Sequence, residues 1–216
     1  MPTTTRFMVS SLLVFLTGCS SMYYGAMEKV GIHKRDIMVD RVKGARDSQK
    51  AAATEFLDAL TQFKRVVNVK EGNLDTKYNT LNAALQKSEA RANEVHDRIA
   101  SVEDVSDALF KEWKTELKQY SSTELRKASE AKLNDARARY KTLIASMKQA
   151  EAKLEPALKP LRDQVLFLKH NLNAKAIGGL TSEVASIQTK VDDLIRDLQK
   201  SVSEADAFIW TLQQGG

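Results

Sequence analysis

An apolar row spaced alternately three and four residues apart runs through most of this chain and limits what it can fold into. It first passes through Val42, Ala45, Gln49, Ala52, Phe56, Ala59, Phe63 and Val66. It resumes as Leu74, Tyr78, Leu81, Leu85, Ser88, Ala92, Val95, Ile99, Val102, Ser106, Leu109 and Trp113. A third stretch holds Ala136, Tyr140, Leu143, Met147, Ala150, Leu154, Ala157 and Leu161. The fourth holds Leu180, Val184, Ile187, Val191, Leu194, Leu198, Ser201, Ala205, Phe208 and Leu212. A 3.5-residue repeat sustained this long puts a continuous stripe on one side of a helix and specifies left-handed coiled-coil packing. Nine glycines and three prolines among 216 residues leave few places to turn. Sandwiches, barrels and α/β folds need a turn roughly every 8–15 residues and are disfavoured. A chain that is 43% hydrophobic has enough apolar surface, correctly spaced, to escape disorder.

The breaks between rows fall at residues that end or start helices. Gly72, within Lys70-Glu71-Gly72-Asn73, is placed to close the first helix in a left-handed conformation. Ser121 and Glu124 form a capping-box pattern for the third helix. Gly178-Gly179 ends that helix, and Thr181 or Ser182 caps the fourth. Pro156 and Pro160 each lack an amide donor and crowd the carbonyl four residues back, which predicts a kink near Lys153–Leu158. A second helix from about Leu74 to Tyr120 spans roughly 70 Å. A third from about Thr123 to Lys175 is similar, and a fourth to Gln213 is nearer 50 Å. Short connections make neighbours antiparallel. The expected fold is therefore all-α: an elongated antiparallel bundle of four long helices, the third kinked at Pro156/Pro160. Its four-helix end lies at the Gly72 and Gly178 turns, and the 121–123 hairpin lies at the other.

The N-terminus has a different character. Arg6 precedes the apolar run from Phe7 to Leu16, whose ten residues rise only about 15 Å as a helix, half a hydrocarbon core. It reads as the apolar core of a signal peptide. Leu16-Thr17-Gly18-Cys19 follows and resembles the lipobox of bacterial lipoproteins, in which the cysteine accepts a diacylglycerol and cleavage falls just before it. Cys19 is the only cysteine, so an internal disulfide or a cysteine-rich metal cluster is excluded. The expected organisation is a signal peptide over 1–18, a lipidated, membrane-proximal segment over 19–35, and one helical-bundle domain over 36–213. Two or three acyl chains attach a protein stably where one does not. Among Gram-negative lipoproteins an aspartate after the lipidated cysteine retains the protein in the inner membrane. Ser20 in that place points to the periplasmic face of the outer membrane. Tyr23, Tyr24 and the basic run Lys34-Arg35 suit headgroup level, and packing against the base of the folded body is the other reading of this segment.

Three segments carry a family resemblance: residues 22–35 (MYYGAMEKVGIHKR), 108–113 (ALFKEW) and 163–174 (DQVLFLKHNLNA). They resemble a proteobacterial family of unknown function, domain of unknown function 2959, and the resemblance covers about residues 22 to 213. It implies an all-helical fold and brings no activity. Some members carry the label of a DNA-repair ATPase, which needs a glycine-rich loop ending in Gly-Lys-Ser/Thr to cradle phosphate. This chain has no such run; Gly178-Gly179 is followed by Leu180.

Chemistry-bearing constellations are sparse. His33, His96 and His170 are far apart and lack a second ligand at i+4, so no zinc pattern exists. The carboxylate pairs Glu103/Asp107 and Asp193/Asp197 lie one turn apart and read as solvated faces. The segment from Val165 to Asn173 is the unusual one. Four consecutive apolar residues precede His170, Asn171 and Asn173, which predicts burial among neighbours or an exposed docking patch. Net charge beyond residue 18 is +4 and dispersed, which argues against nucleic acid as a partner. Anionic headgroups or peptidoglycan suit Lys34, Arg35, Arg41 and Lys43. The expected function is a non-enzymatic, lipid-anchored envelope protein without a cofactor beyond the lipid on Cys19. It would act as a helical spacer, or as a scaffold for an envelope protein or for its own copies. The alternative is a periplasmic carrier of a lipid or small hydrophobe, with a cavity near Phe167 and Trp210. Candidate contact residues are Phe167, His170, Asn171, Asn173 and Trp210.

Overall fold

A computed structural model of the protein describes residues 19–29, 31–68, 73–171 and 180–214. Among them every regular element is helical. Residues 1–18, Gly72, Asn173 and Gly178-Gly179, on which the expected signal peptide, two expected helix ends and one candidate contact residue fall, lie outside the described residues, as does the side chain of Cys19. The chain divides into two compact units, with the boundary between His33 and Lys34.

In the first unit α1 (Cys19–Lys29) ends at Gly31, whose φ of +83° is the left-handed conformation that glycine adopts without strain. Gly31 N–H donates to Glu28 O and Ile32 N–H to Met27 O, both at 3.0 Å. This pair of bonds is a Schellman closure, which satisfies carbonyls the helix leaves open. The Tyr23 and Tyr24 rings meet edge to face at 5.3 Å.

The second unit contains α2 (Lys34–Asn68), α3 (Leu74–Glu116), α4 (Thr123–Glu151), α5 (Leu154–His170) and α6 (Val184–Gln214). Short 3-10 turns lie at Leu117–Gln119 and Leu180–Glu183, so Thr181 and Ser182 sit in a turn that leads into α6. Asn73 caps α3, its Oδ1 accepting from Asp75 N–H at 2.7 Å and Thr76 N–H at 3.3 Å. Ser122, not Ser121, caps α4: its Oγ accepts from Leu125 N–H at 3.2 Å and donates to Glu124 Oε2 at 3.0 Å. Glu124 is thus the second helical residue, one place too early to complete the expected box.

The expected third helix is two helices. The α-helical ladder stops at Glu151 and restarts at Leu154, with Lys153 N–H tightened onto Ala150 O at 3.1 Å. Pro156 explains the position. It has no amide to give to the Ala152 carbonyl, and its ring crowds that carbonyl. The interruption therefore falls at Ala152-Lys153, at the N-terminal edge of the span in which a kink was expected. The apolar row does not lose phase there: Met147, Ala150, Leu154, Ala157 and Leu161 are all buried. The helix also ends five residues before Lys175, at His170, because Asn171 Nδ2 turns back to donate to Phe167 O at 3.0 Å.

Cross-helix contacts set the directions. Lys34 pairs with Glu112, and Gly44 lies beside Arg98, so α2 and α3 run antiparallel. Trp113 Nε1 donates to Ser129 Oγ, Lys148 pairs with Glu103, and Arg162 pairs with Glu89, so α4 and α5 descend antiparallel to α3. Arg46 with Asp206 and Gln49 with Ser201 make α6 antiparallel to α2. Tyr140 with Phe208 and Gln149 with Asp197 do the same for α4 and α6. Nearly every position of the four rows is buried, with Leu74, Tyr78, Trp113, Tyr140 and Val184 half-buried. The Gln49–Ser201 pair is a polar step inside this core: Ser201 Oγ donates to Gln49 Oε1 at 2.9 Å and both side chains are fully buried.

Tyr140 marks the level where α3, α4 and α6 meet. Its ring lies between Phe110 at 5.5 Å and Phe208 at 6.5 Å, and its hydroxyl is hydrogen-bonded to Ser106. Burial pushes its pKa above the ordinary phenol value, because the phenolate is disfavoured there. The folded form therefore holds this proton more tightly than the unfolded chain. Its contribution is complete below about pH 10, the unfolded value, and is lost as pH rises through the raised folded value. The expected slope is at most about 1.4 kcal/mol per pH unit. Tyr140→Phe should flatten that part of the alkaline stability curve, measured as urea midpoints across the phenol range. Identical slopes in both proteins would refute the assignment.

Candidate functional site

The interruption between α4 and α5 opens a cleft of about 350 Å³ against α3. Its walls carry Glu89, Asn93 and His96 from α3, Glu151 from the end of α4, and Glu155 and Arg162 from α5. Arg162 is the hub. Its Nε lies 2.9 Å from Glu89 Oε1, and its Nη1 lies 2.8 Å from Glu155 Oε1. Both carboxylates raise the guanidinium pKa, Glu155 most, and Arg162 in turn holds Glu155 below the usual carboxylate range. On the opposite wall His96 Nδ1 meets Glu151 Oε1. The Glu89–Arg162 and His96–Glu151 pairs bridge α3 to both sides of the break. Each involves partly exposed side chains, so each contributes on the order of 0–1 kcal/mol. Their chemistry is that of a clasp: Glu89 and Glu155 are engaged with Arg162 and Glu151 with His96, and no serine or cysteine nucleophile lines the cleft. Among the described residues no group of three or more His, Cys, Asp or Glu is placed to hold a metal ion.

Sequence reasoning did not single out this cleft. Its signal was the Glu155/Arg162 spacing of seven residues beside Pro156, but the partners on α3 are distant in sequence. The carboxylate pairs that were singled out are engaged elsewhere. Glu103 pairs with Lys148 at 2.8 Å, Asp193 with Arg196 at 3.0 Å, and Asp197 accepts from Gln149 Nε2 at 3.2 Å.

The candidate contact residues do not form one site. Cys19 opens α1 in the first unit. Phe167, His170 and Asn171 cluster at the C-terminal end of α5, where Asn171 closes the helix and His170 and Lys169 lie in its last turn. Within the apolar run, Val165 and Leu168 are buried while Leu166 and Phe167 face solvent, Phe167 at 47% exposure. The segment is thus both packed and exposed, in alternation around the helix. Trp210 is 64% exposed and lies on α6 two residues past Phe208, at the Tyr140 level. From the Glu89–Arg162 level to the Phe110–Tyr140 level is 21 residues of α3, roughly 32 Å. Phe167 and Trp210 therefore lie near opposite ends of the second unit and cannot line one cavity.

No helix among the described residues is long and apolar enough to cross a membrane. No curated protein and no solved structure matches the chain. Residues 23–212 match the family described as "Protein of unknown function (DUF2959)", and the chain belongs to that family.

Proposed function

We propose that this protein is a lipid-anchored, non-enzymatic rod of the cell envelope, tethered through Cys19 and serving as a spacer or docking scaffold. The rod is an elongated antiparallel four-helix bundle whose third helix bends at the break before Pro156. The observation that carries this reading is the antiparallel register across the second unit. Contacts from Lys34–Glu112 to Glu89–Arg162 span 23 residues of α3, about 35 Å, with the apolar rows buried between them. Such a body supplies length and a patterned surface. The polar groups of its cleft hold helices together instead of surrounding a reactive atom. The lipid reading draws on the apolar run ending at Leu16-Thr17-Gly18-Cys19, and the outer-membrane placement on Ser20. A carrier role loses its basis with Phe167 and Trp210 so far apart.

Growth with an alkyne-bearing fatty acid tests the anchor. The label is expected on the peptide containing Cys19, in protein that fractionates with the outer membrane. Unlabelled protein would overturn the anchor, and labelled protein in the inner membrane would overturn the role given to Ser20.

A further inference from the structure

The far end of the α3–α4 hairpin has a composition and position that the spacer reading does not use. After Phe110 no side chain of α3 or its 3-10 turn is buried, and α4 buries none before Leu133. The helices persist through this stretch, held together by the Trp113–Ser129 hydrogen bond at 2.9 Å. Two apolar side chains are left open there, Leu125 at 60% and Tyr120 at 42% exposure. Around them stand the exposed cations Lys111, Lys114, Lys118, Arg126, Lys127 and Lys132. Four glutamates share residues 111–132, and one of these, Glu112, is already paired with Lys34. The surface is therefore cationic with an apolar, aromatic tip.

We infer that this tip docks on an anionic lipid surface, with Leu125 and Tyr120 at headgroup level and the lysines and Arg126 against lipid phosphate. Tyrosine and leucine favour that depth, and clustered Lys/Arg are drawn to anionic headgroups. The Lys34–Glu112 pair adds the position: α2 starts beside the base of the tip, so the chain leading to Cys19 leaves the body at this end. Cys19 lies 15 residues before Lys34, and with Cys19–Lys29 helical the reach is at most about 33 Å, while the tip projects only about 12 Å beyond Glu112. A membrane-held N-terminus makes the tip's encounter with the bilayer intramolecular, so a weak attraction suffices. The inference thus rests on membrane attachment of the N-terminus, though not on acylation of Cys19 in particular.

The test uses full-length protein reconstituted in vesicles, held there by acyl chains or by residues 7–16. Lysine acetylation is read by mass spectrometry on vesicles of phosphatidylcholine alone and on vesicles that also contain phosphatidylglycerol. Lys118, Lys127 and Lys132 are expected to be acetylated about threefold more slowly on the anionic vesicles. Lys169 and Lys190, remote from the tip, should not change. High salt should remove the protection by screening. Arg126→Glu with Lys127→Glu should remove it at Lys118 and Lys132 without loss of helicity, since both sites are exposed and lie among the first five residues of α4, near the end where acids are favoured. Equal labelling on both vesicles overturns the inference. Protection on both that grows with protein density overturns it too, in favour of a second copy of the chain. The fatty-acid experiment reports separately on Cys19, so the anchor and the tip can fail independently.

Discussion

Cys19→Ser, exported behind an ordinary cleavable signal in place of residues 1–18, is expected to leave the membrane fraction and appear as soluble protein. The size of the effect follows from the acyl chains. Each buried methylene contributes about 0.8 kcal/mol, and even a single myristoyl chain gives an association constant on the order of 10⁴ M⁻¹. Loss of two or more chains should lower membrane partitioning by at least about 10⁴-fold. Membranes are to be washed in high salt first, because the cationic hairpin tip retains a weaker, screenable attraction. Far-UV circular dichroism should be unchanged, since the described helices of the second unit form their own compact core from Lys34 onward. Retention of the salt-washed variant in the membrane would remove the tether from the proposal.

The second large effect lies in the core of α2. Phe56 is fully buried and its neighbour Leu57 is 43% exposed. Phe56→Ala is expected to cost about 3–5 kcal/mol, through lost transfer energy and the cavity left behind. For a unit of this size that is a fall of roughly 10 °C in melting temperature. Leu57→Ala, one residue along, is expected to stay within about 0.5 kcal/mol. Alanine is the best helix former, so propensity does not account for the loss at Phe56. Urea denaturation of the two variants side by side measures burial at matched backbone context. Equal destabilisation would mean that α2 is not seated as described.

The apolar rows were legible because their information is local. A 3-4 repeat states which face of a helix is covered whatever covers it, and so Gln49, Ser88, Ser106 and Ser201 were placed among core positions although polar. Helix ends were legible only to a residue or two. Ser121 and Ser122 are chemically equal candidates for a cap, and the choice between them depends on where the chain leaves the 3-10 turn. A kink of one helix was expected near Lys153–Leu158, whereas the ladder is interrupted at Ala152-Lys153, a position that depends on which carbonyl Pro156 deprives of a donor. The candidate site was the least legible part. The Arg162 clasp joins Glu155 with Glu89, 73 residues away, and His96 meets Glu151 across 55. Nothing in either segment alone specifies such a partner.

By itself the sequence determined the all-helical class, the buried face of each long helix, the antiparallel tendency that short connections impose, and the family. These follow from period, from scarce glycine and proline, and from motif, all of which act over a few residues. Only the tertiary structure decided which apolar residues are left open. Leu125, Leu166 and Trp210 are as hydrophobic as their buried neighbours, and their exposure depends on whether another helix lies against them. It likewise decided that Phe167 and Trp210 stand near opposite ends, because direction along a bundle comes from how helices pair and not from any one helix. The same pairing set Lys34 against Glu112 and so brought the start of α2 to the hairpin end. That is a relation between residues 78 apart that only packing creates.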